Sequence, residues 1–384
     1  MAKKVIRFGV IGCGLMGKEF ASASARWCHL SNVDYIPEIT HVCDAHLPAT
    51  EWFENNVPSV KKTTSDYREL IADPEVDAVY CAVPHNLHEQ LYIDIIKAGK
   101  HLLGEKPFGI DAEANQSIMK AIVENPDVIV RCSSEFPFFP GAQRIVEWVN
   151  QEKFGQIIEV EAGFWHSSDL DPNKTINWKR RIGTNGEYGC MGDLGMHVAH
   201  LPFRFGWKPA NVRSLLSKIV QERPDGKGGM AACETWDNAI LACEVKTDKY
   251  NFPMVLSMKR IAPGHANTWF IRINGTKGSA EFTTKNPKQV AFLPYEPGGE
   301  QAWHISDVPY KSSYGTITGG IFEFGFSDSI LQMWAAFCDE IANGKDNQSS
   351  FQCAKPEEAA MSHQLFTAAL ESEKTDNTVL LNWE

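Results

Sequence analysis

No stretch of this chain approaches the roughly 18 apolar residues that a membrane-spanning helix needs, so no membrane partner is expected. Basic charge is also scarce: 37 Lys and Arg stand against 48 Asp and Glu, a formal net charge of −11. Nucleic acids and anionic bilayers are held by basic patches. The densest basic run here, Lys179-Arg180-Arg181, is too short to make one, so nucleic acid is not expected either. The ten cysteines include no C-x-x-C pair. Several of them (Cys43, Cys81, Cys132) lie in apolar, strand-like runs where a cysteine serves as a small hydrophobe. They read as reduced thiols, with neither a disulfide framework nor a metal cluster. The opening Met1-Ala2-Lys3-Lys4 leads directly into a strand, with no apolar core or cleavage site of a signal peptide. The expected compartment is the cytoplasm. What remains is a chain of 384 residues, 43% apolar and 22% charged, a composition suited to two domains.

The N-terminus carries the strongest local signal. Val5-Ile6-Arg7-Phe8-Gly9-Val10-Ile11 reads as a buried strand running into Gly12-Cys13-Gly14-Leu15-Met16-Gly17, with a helix-forming run directly after. This G-x-G-x-x-G order suits a dinucleotide pyrophosphate. Gly12 permits a tight turn, Gly14 lets the backbone approach the phosphates, and Gly17 lets the helix pack close. The N–H groups of Leu15 and Met16 then open a helix whose positive end faces the anion. Ile39-Thr40-His41-Val42-Cys43-Asp44 reads as the second parallel strand. An acid at its tip accepts hydrogen bonds from ribose hydroxyls and repels a 2′-phosphate, so Asp44 favours NAD over NADP.

Further βα units follow. A capped helix at Thr64–Ile71 precedes the strand Val76 to Val83, which stops at Pro84. His85-Asn86-Leu87-His88 then opens a helix at the strand's carboxyl end, where ligands of open α/β sheets bind. Lys100 to Pro107 is a fifth strand ending in Glu105-Lys106-Pro107, and Val128 to Ser133 a sixth. A lysine at such a strand end can polarise a substrate oxygen; Glu105-Lys106 could equally be a surface ion pair. The predicted first domain is residues 1–135, a doubly wound parallel α/β sheet. From 136 to 384 strands follow one another with few helices between them, and Gly275-Thr276-Lys277-Gly278 is a hairpin signal. The expectation there is an α+β domain on a large, mainly antiparallel open sheet.

The second informative stretch is the glycine-rich run from Asn185 to His200. Asp193 and His197, four apart, would share a helical face about 6 Å from one another, and a carboxylate beside an imidazole orients it and raises its basicity. The same pair could form half a metal site, yet no third ligand stands out, and no metal is expected.

Together, G-x-G-x-x-G, Glu-Lys-Pro after the fifth strand, and a glycine-rich Asp-x3-His helix resemble the glucose–fructose oxidoreductase / inositol dehydrogenase / MocA family along nearly the whole chain. The resemblance implies an NAD-dependent dehydrogenase with a catalytic set of Lys106, Asp193 and His197. His197 would be the acid/base, Lys106 the polarising group and Asp193 the residue that orients them. It also implies cofactor contacts from Pro84, His85, Asn86, His88, Glu105, Lys106 and Trp178. Either Lys179 or Arg180 would complete the Trp-Arg pair of relatives. Two positions depart from that pattern: Phe136-Pro137-Phe138-Phe139 replaces an arginine-bearing segment, and His200 stands where Asp is common. The aromatic residues Phe136, Phe138, Phe139 and Trp165 could stack on a sugar ring or form core. The implied substrate is a carbohydrate: a glycoside, anhydrosugar or inositol oxidised at a secondary ring hydroxyl. The implied assembly is a dimer or tetramer formed through the second sheet. The alternatives are an NAD-recycling glycosidase of the same family and a non-catalytic NAD(H) sensor.

Overall fold

The computed structural model describes residues 3–308, 311–322, 324–344 and 351–383, which form two compact units. The first is built on β1 (Lys4–Ile11), β2 (Tyr35–Cys43), β3 (Lys62–Thr64), β4 (Ala78–Cys81), β5 (His101–Gly104) and β6 (Val130–Cys132). These strands are buried on both faces, which is why they read as continuous apolar runs. They lie parallel in the order β3-β2-β1-β4-β5-β6, the doubly wound arrangement whose crevice opens at the carboxyl ends of β1 and β4. Asp66 caps the helix Tyr67–Ala72, accepting from the Arg68 N–H at 3.0 Å.

The units are not separated by one cut near residue 135, because Ser312–Ala359 belongs with the first. The reason is packing. The helix Phe326–Asn343 lays Trp334 against Phe20 (3.7 Å between ring centroids) and Phe8 (5.2 Å). Arg131 of β6 pairs with Glu340 of that helix, both buried. The Cys132 N–H donates to the Ala354 carbonyl at 2.9 Å, extending the sheet edge beyond β6.

The second unit contains β7 (Ile157–Trp165), β8 (Pro209–Ser217), β9 (Glu222–Pro224), β10 (Met230–Ala232), β11 (Asn238–Lys246), β12 (Asn251–Lys259), β13 (Thr268–Gly275), β14 (Gly278–Thr283), β15 (Gln289–Pro294), β16 (His304–Asp307) and β17 (Val379–Leu380). Nine of them form one sheet in the order β16-β15-β14-β13-β7-β12-β11-β8-β17, and β9 and β10 form a separate ribbon. Every pairing in the large sheet is antiparallel except β7 with β12. Gly275 and Gly278 pair across the turn between β13 and β14, where the hairpin was expected. The strand expected to run to Val220 ends at Ser217 instead. The N–H groups of Ile219 and Val220 donate to the Asp237 carboxylate at 2.6 and 2.9 Å and so leave the ladder. On the sheet's open face Leu215 and Ile240 stand opposite one another, both exposed.

No helix among the described residues is long and apolar enough to cross a membrane. The ten cysteines are all free thiols, and only Cys28 is exposed.

Candidate functional site

Within the first unit, the glycine loop leaves β1 as the motif requires. Gly12 has φ +98°, and a Cβ there would lie 2.2 Å from the Ala82 carbonyl oxygen of the segment following β4. A Cβ on Gly17 would meet the Gly12 carbonyl at the same distance, so this glycine lets the helix Leu15–Ala25 sit directly on the turn. Nothing lies within 4 Å of a Cβ built on Gly14, and no side chain caps the helix it precedes. The loop therefore offers an open backbone surface at a helix N-terminus, which suits an anion.

Asp44 stands half-buried at the tip of β2. One oxygen accepts from the Cys13 N–H at 2.8 Å and the other from the His46 N–H at 2.9 Å. A carboxylate oxygen accepts more than one hydrogen bond, so Asp44 ties down the loop and keeps capacity for a diol. Its negative charge disfavours a 2′-phosphate. These residues fit NAD.

Farther along the same edge, Pro84 is half-buried, Asn86 is exposed, and His85 and His88 are buried. His88 lies 3.0 Å from the Val83 carbonyl through Nε2 and stacks on Tyr92 at 4.7 Å. The Tyr92 hydroxyl donates to the Glu105 carbonyl at 2.8 Å, and the Tyr80 hydroxyl donates to Glu105 Oε1 at 2.7 Å. Two tyrosines thus fix both the backbone and the side chain of Glu105. Lys106 follows, partly exposed, before a cis bond to Pro107. Phe136 and Phe138 are buried against Phe326 and Phe351, so they serve as core of this unit.

In the second unit, Asp193 lies in a π-helical turn, Met191–Gly195, which runs into the α-helix Met196–Arg204 carrying His197 and His200. A widened turn of this kind is costly and is found mostly at functional sites. Asp193, His197 and His200 are all buried. The Asp193 carboxylate is held by Lys179 at 2.8 Å on one oxygen and by Arg260 on the other. The His197 ring meets the Phe164 ring edge-on at 5.6 Å, and its carbonyl accepts from Trp269 Nε1 at 2.9 Å. Arg204 lies 3.1 Å from His200 Nε2.

The choice between Lys179 and Arg180 is a difference of direction. Lys179, beside the partly exposed Trp178, reaches Asp193; Arg180 turns inward, 1% exposed, to Asp169 at 3.1 Å and to Asp237. Trp165 is partly exposed, its Nε1 bonded to Ser257 Oγ at 2.8 Å and Lys259 lying 4.1 Å above its ring.

Arg260, Asp169, Asp237 and His166 are participants that the sequence reading missed. Arg260 joins Asp193 to Asp169 (3.0 Å) and to Ser168 Oγ (2.9 Å). Burial works to raise the Asp169 carboxyl, but Arg260 and Arg180 hold it down to about 2. Burial and the Arg260 charge push the His166 imidazole down to about 4, leaving it neutral. These residues sit at strand ends far apart in sequence, with no motif around them.

Residues 6–132 match the family model described as "Oxidoreductase family, NAD-binding Rossmann fold", and residues 142–281 match the "GFO/IDH/MocA C-terminal domain". The levoglucosan dehydrogenase of Pseudarthrobacter phenanthrenivorans is 26% identical over 338 residues, 78% of this chain and 83% of that protein. The trans-1,2-dihydrobenzene-1,2-diol dehydrogenase of Mus musculus is 26% identical over 57% of this chain and 62% of its own. A solved levoglucosan dehydrogenase, in complex with NADH and levoglucosan, superposes with a TM-score of 0.86 at 21% identity, covering 99% of this chain and 100% of that one.

Proposed function

This chain belongs to the Gfo/Idh/MocA family of NAD-binding oxidoreductases, and from that premise we propose that it oxidises a secondary ring hydroxyl of a carbohydrate. The substrate class is a sugar, glycoside, anhydrosugar or inositol, with the 3-position of a glucoside as the first to examine. The observation that carries the reading is the tie between Asp44 and the glycine loop, which pairs a diol acceptor with an open anion cradle. NAD bound there would accept a hydride from the carbinol carbon.

The chain's own residues handle the proton and the charge. His197 takes the hydroxyl proton; its ring is buried against Phe164, where a neutral imidazole is the favoured resting form. The Lys106 ammonium polarises the reacting oxygen and favours its deprotonation. Asp193 is the orienting residue. Held by Lys179 and Arg260, its carboxylate cannot swing away, and its charge stabilises a cation formed on the imidazole. Leu215 and Ile240 on the open sheet face are the kind of surface a second copy would cover, in keeping with a homo-oligomer.

The test is the appearance of NADH absorbance when the protein is mixed with NAD, and separately NADP, across aldoses, inositols, alkyl and aryl glucosides and levoglucosan. NADH formed from one class with NAD, and lost by at least about a hundredfold in His197→Ala, is the expected result. Aryl glucoside cleavage without net NADH would replace this reading with that of an NAD-recycling glycosidase. NAD binding with no turnover of any substrate would leave only a sensor.

A further inference from the structure

The loop after β6 brings a carboxyl to the strand end that carries Lys106. Ser133 N–H donates to the Gly104 carbonyl at 2.8 Å, so the chain leaving β6 runs beside the chain leaving β5. Glu105-Lys106 continue one strand and Ser134-Glu135 the other. The turn is fixed by the Phe138 N–H donating to the Glu135 carbonyl at 2.9 Å, and by the Ser134 N–H, which lies 3.3 Å from Met333 Sδ. The result is a glutamate only 3% exposed, to which no other side chain gives a hydrogen bond. A buried carboxyl without such a partner is costly. Packing alone would be served better by an apolar residue, as at the neighbouring Phe136 and Phe138.

We propose that Glu135 is a positioning residue for Lys106, a second carboxyl that sets the charge balance and aim of that ammonium. The inference rests on the role given to Lys106 in the proposed reaction. The charged and titratable groups facing Glu135 are Glu105 and Lys106 from the end of β5, and Tyr80 of β4, which bonds to Glu105. Burial and the charge of Glu105 push the Glu135 carboxyl up to about 8, and Lys106 opposes them. At neutral pH Glu135 therefore keeps its proton, and Lys106 answers to one carboxylate, Glu105. Its remaining positive charge is available to a substrate oxygen. When Glu135 loses its proton to solvent at higher pH, the ammonium faces two carboxylates, and its pull on that oxygen weakens.

Two measurements on the full-length protein test this. Difference infrared spectra across pH should show a protonated-carboxyl carbonyl band that disappears near pH 8 and is absent in Glu135→Gln. Lys106→Met should move that loss to higher pH, and Glu105→Gln to lower pH. In kcat/KM against pH, the wild type should fall along an alkaline limb. Glu135→Gln, which stays neutral, should retain about tenfold more of its neutral-pH activity one pH unit above the Glu135 pKa. A band unmoved by Lys106→Met, or a Glu135 already ionised at about pH 6, overturns the proposal and leaves the dehydrogenase reading intact. If no carbohydrate yields NADH, the dehydrogenase reading fails, and the infrared coupling alone decides whether Glu135 and Lys106 are linked.

Discussion

Replacing Arg260 with methionine should destabilise the protein by about 3 kcal/mol. Arg260 is 7% exposed and serves three groups at once: Asp193, Asp169 and Ser168. Methionine keeps much of the length and removes the charge and the donors. Breaking a buried ion pair by deleting one partner costs about 3–5 kcal/mol, because the other charge stays buried. The low end applies because Asp169 keeps Arg180 at 3.1 Å and Lys174 at 3.4 Å, and Asp193 keeps Lys179 at 2.8 Å. A loss of about 3 kcal/mol is roughly two powers of ten in the folding equilibrium. Urea unfolding followed by tryptophan fluorescence measures it. The double variant Arg260→Met/Asp169→Asn should recover part of the loss, since it removes one stranded carboxylate. The pH dependence has a definite sign. In the wild type the Asp169 carboxyl lies at about 2, below its model value of 3.8, so its contribution is present above that value and is lost as pH falls through about 2. Without Arg260 that carboxyl rises, so the stability gap between the two proteins should narrow on acidification. A loss below about 1 kcal/mol, or a gap that widens in acid, would refute the idea that Arg260 neutralises buried carboxylates.

Two other predictions concern separate parts of the molecule. His166 is buried neutral, its pKa near 4 against an ordinary 6.5. Its contribution is thus complete above pH 6.5 and lost as pH falls through that window, by up to about 3 kcal/mol. His166→Gln should flatten this part of the stability–pH curve, and an unchanged slope would assign the acid loss to other groups. Asp44→Ala removes the acceptor for the Cys13 N–H and the diol partner, so NAD should bind at least tenfold more weakly and the preference over NADP should shrink. Quenching of tryptophan fluorescence by each nucleotide reads both, and an unchanged NAD affinity would take Asp44 out of the site.

Much of the first unit was legible because its signals are local. Buried parallel strands appear as short apolar runs, Gly12 and Gly17 stand where no side chain fits, and Asp44 follows its strand directly. The second sheet was legible as a class, from successive strands and one glycine hairpin. Its order was not: joining β7 to β12 in parallel brings together segments nearly a hundred residues apart, and nothing in either one names the other. The same holds for the helix Phe326–Asn343, whose apolar face has no address until Trp334 meets Phe8 and Phe20.

The site divides in the same way. The sequence by itself determined the residue types that chemistry needs at close spacing: the glycine loop, Lys106 after its strand, and Asp193 before His197. Only the tertiary structure decided which charges surround them. Arg180 turns inward while Lys179 reaches Asp193, Arg260 arrives from the far end of β12, and Glu135 comes alongside Glu105 because β5 and β6 are neighbours. Coulomb interactions act through space and depend on burial. A partner contributed from a distant strand therefore leaves no mark in the sequence around the residue it controls.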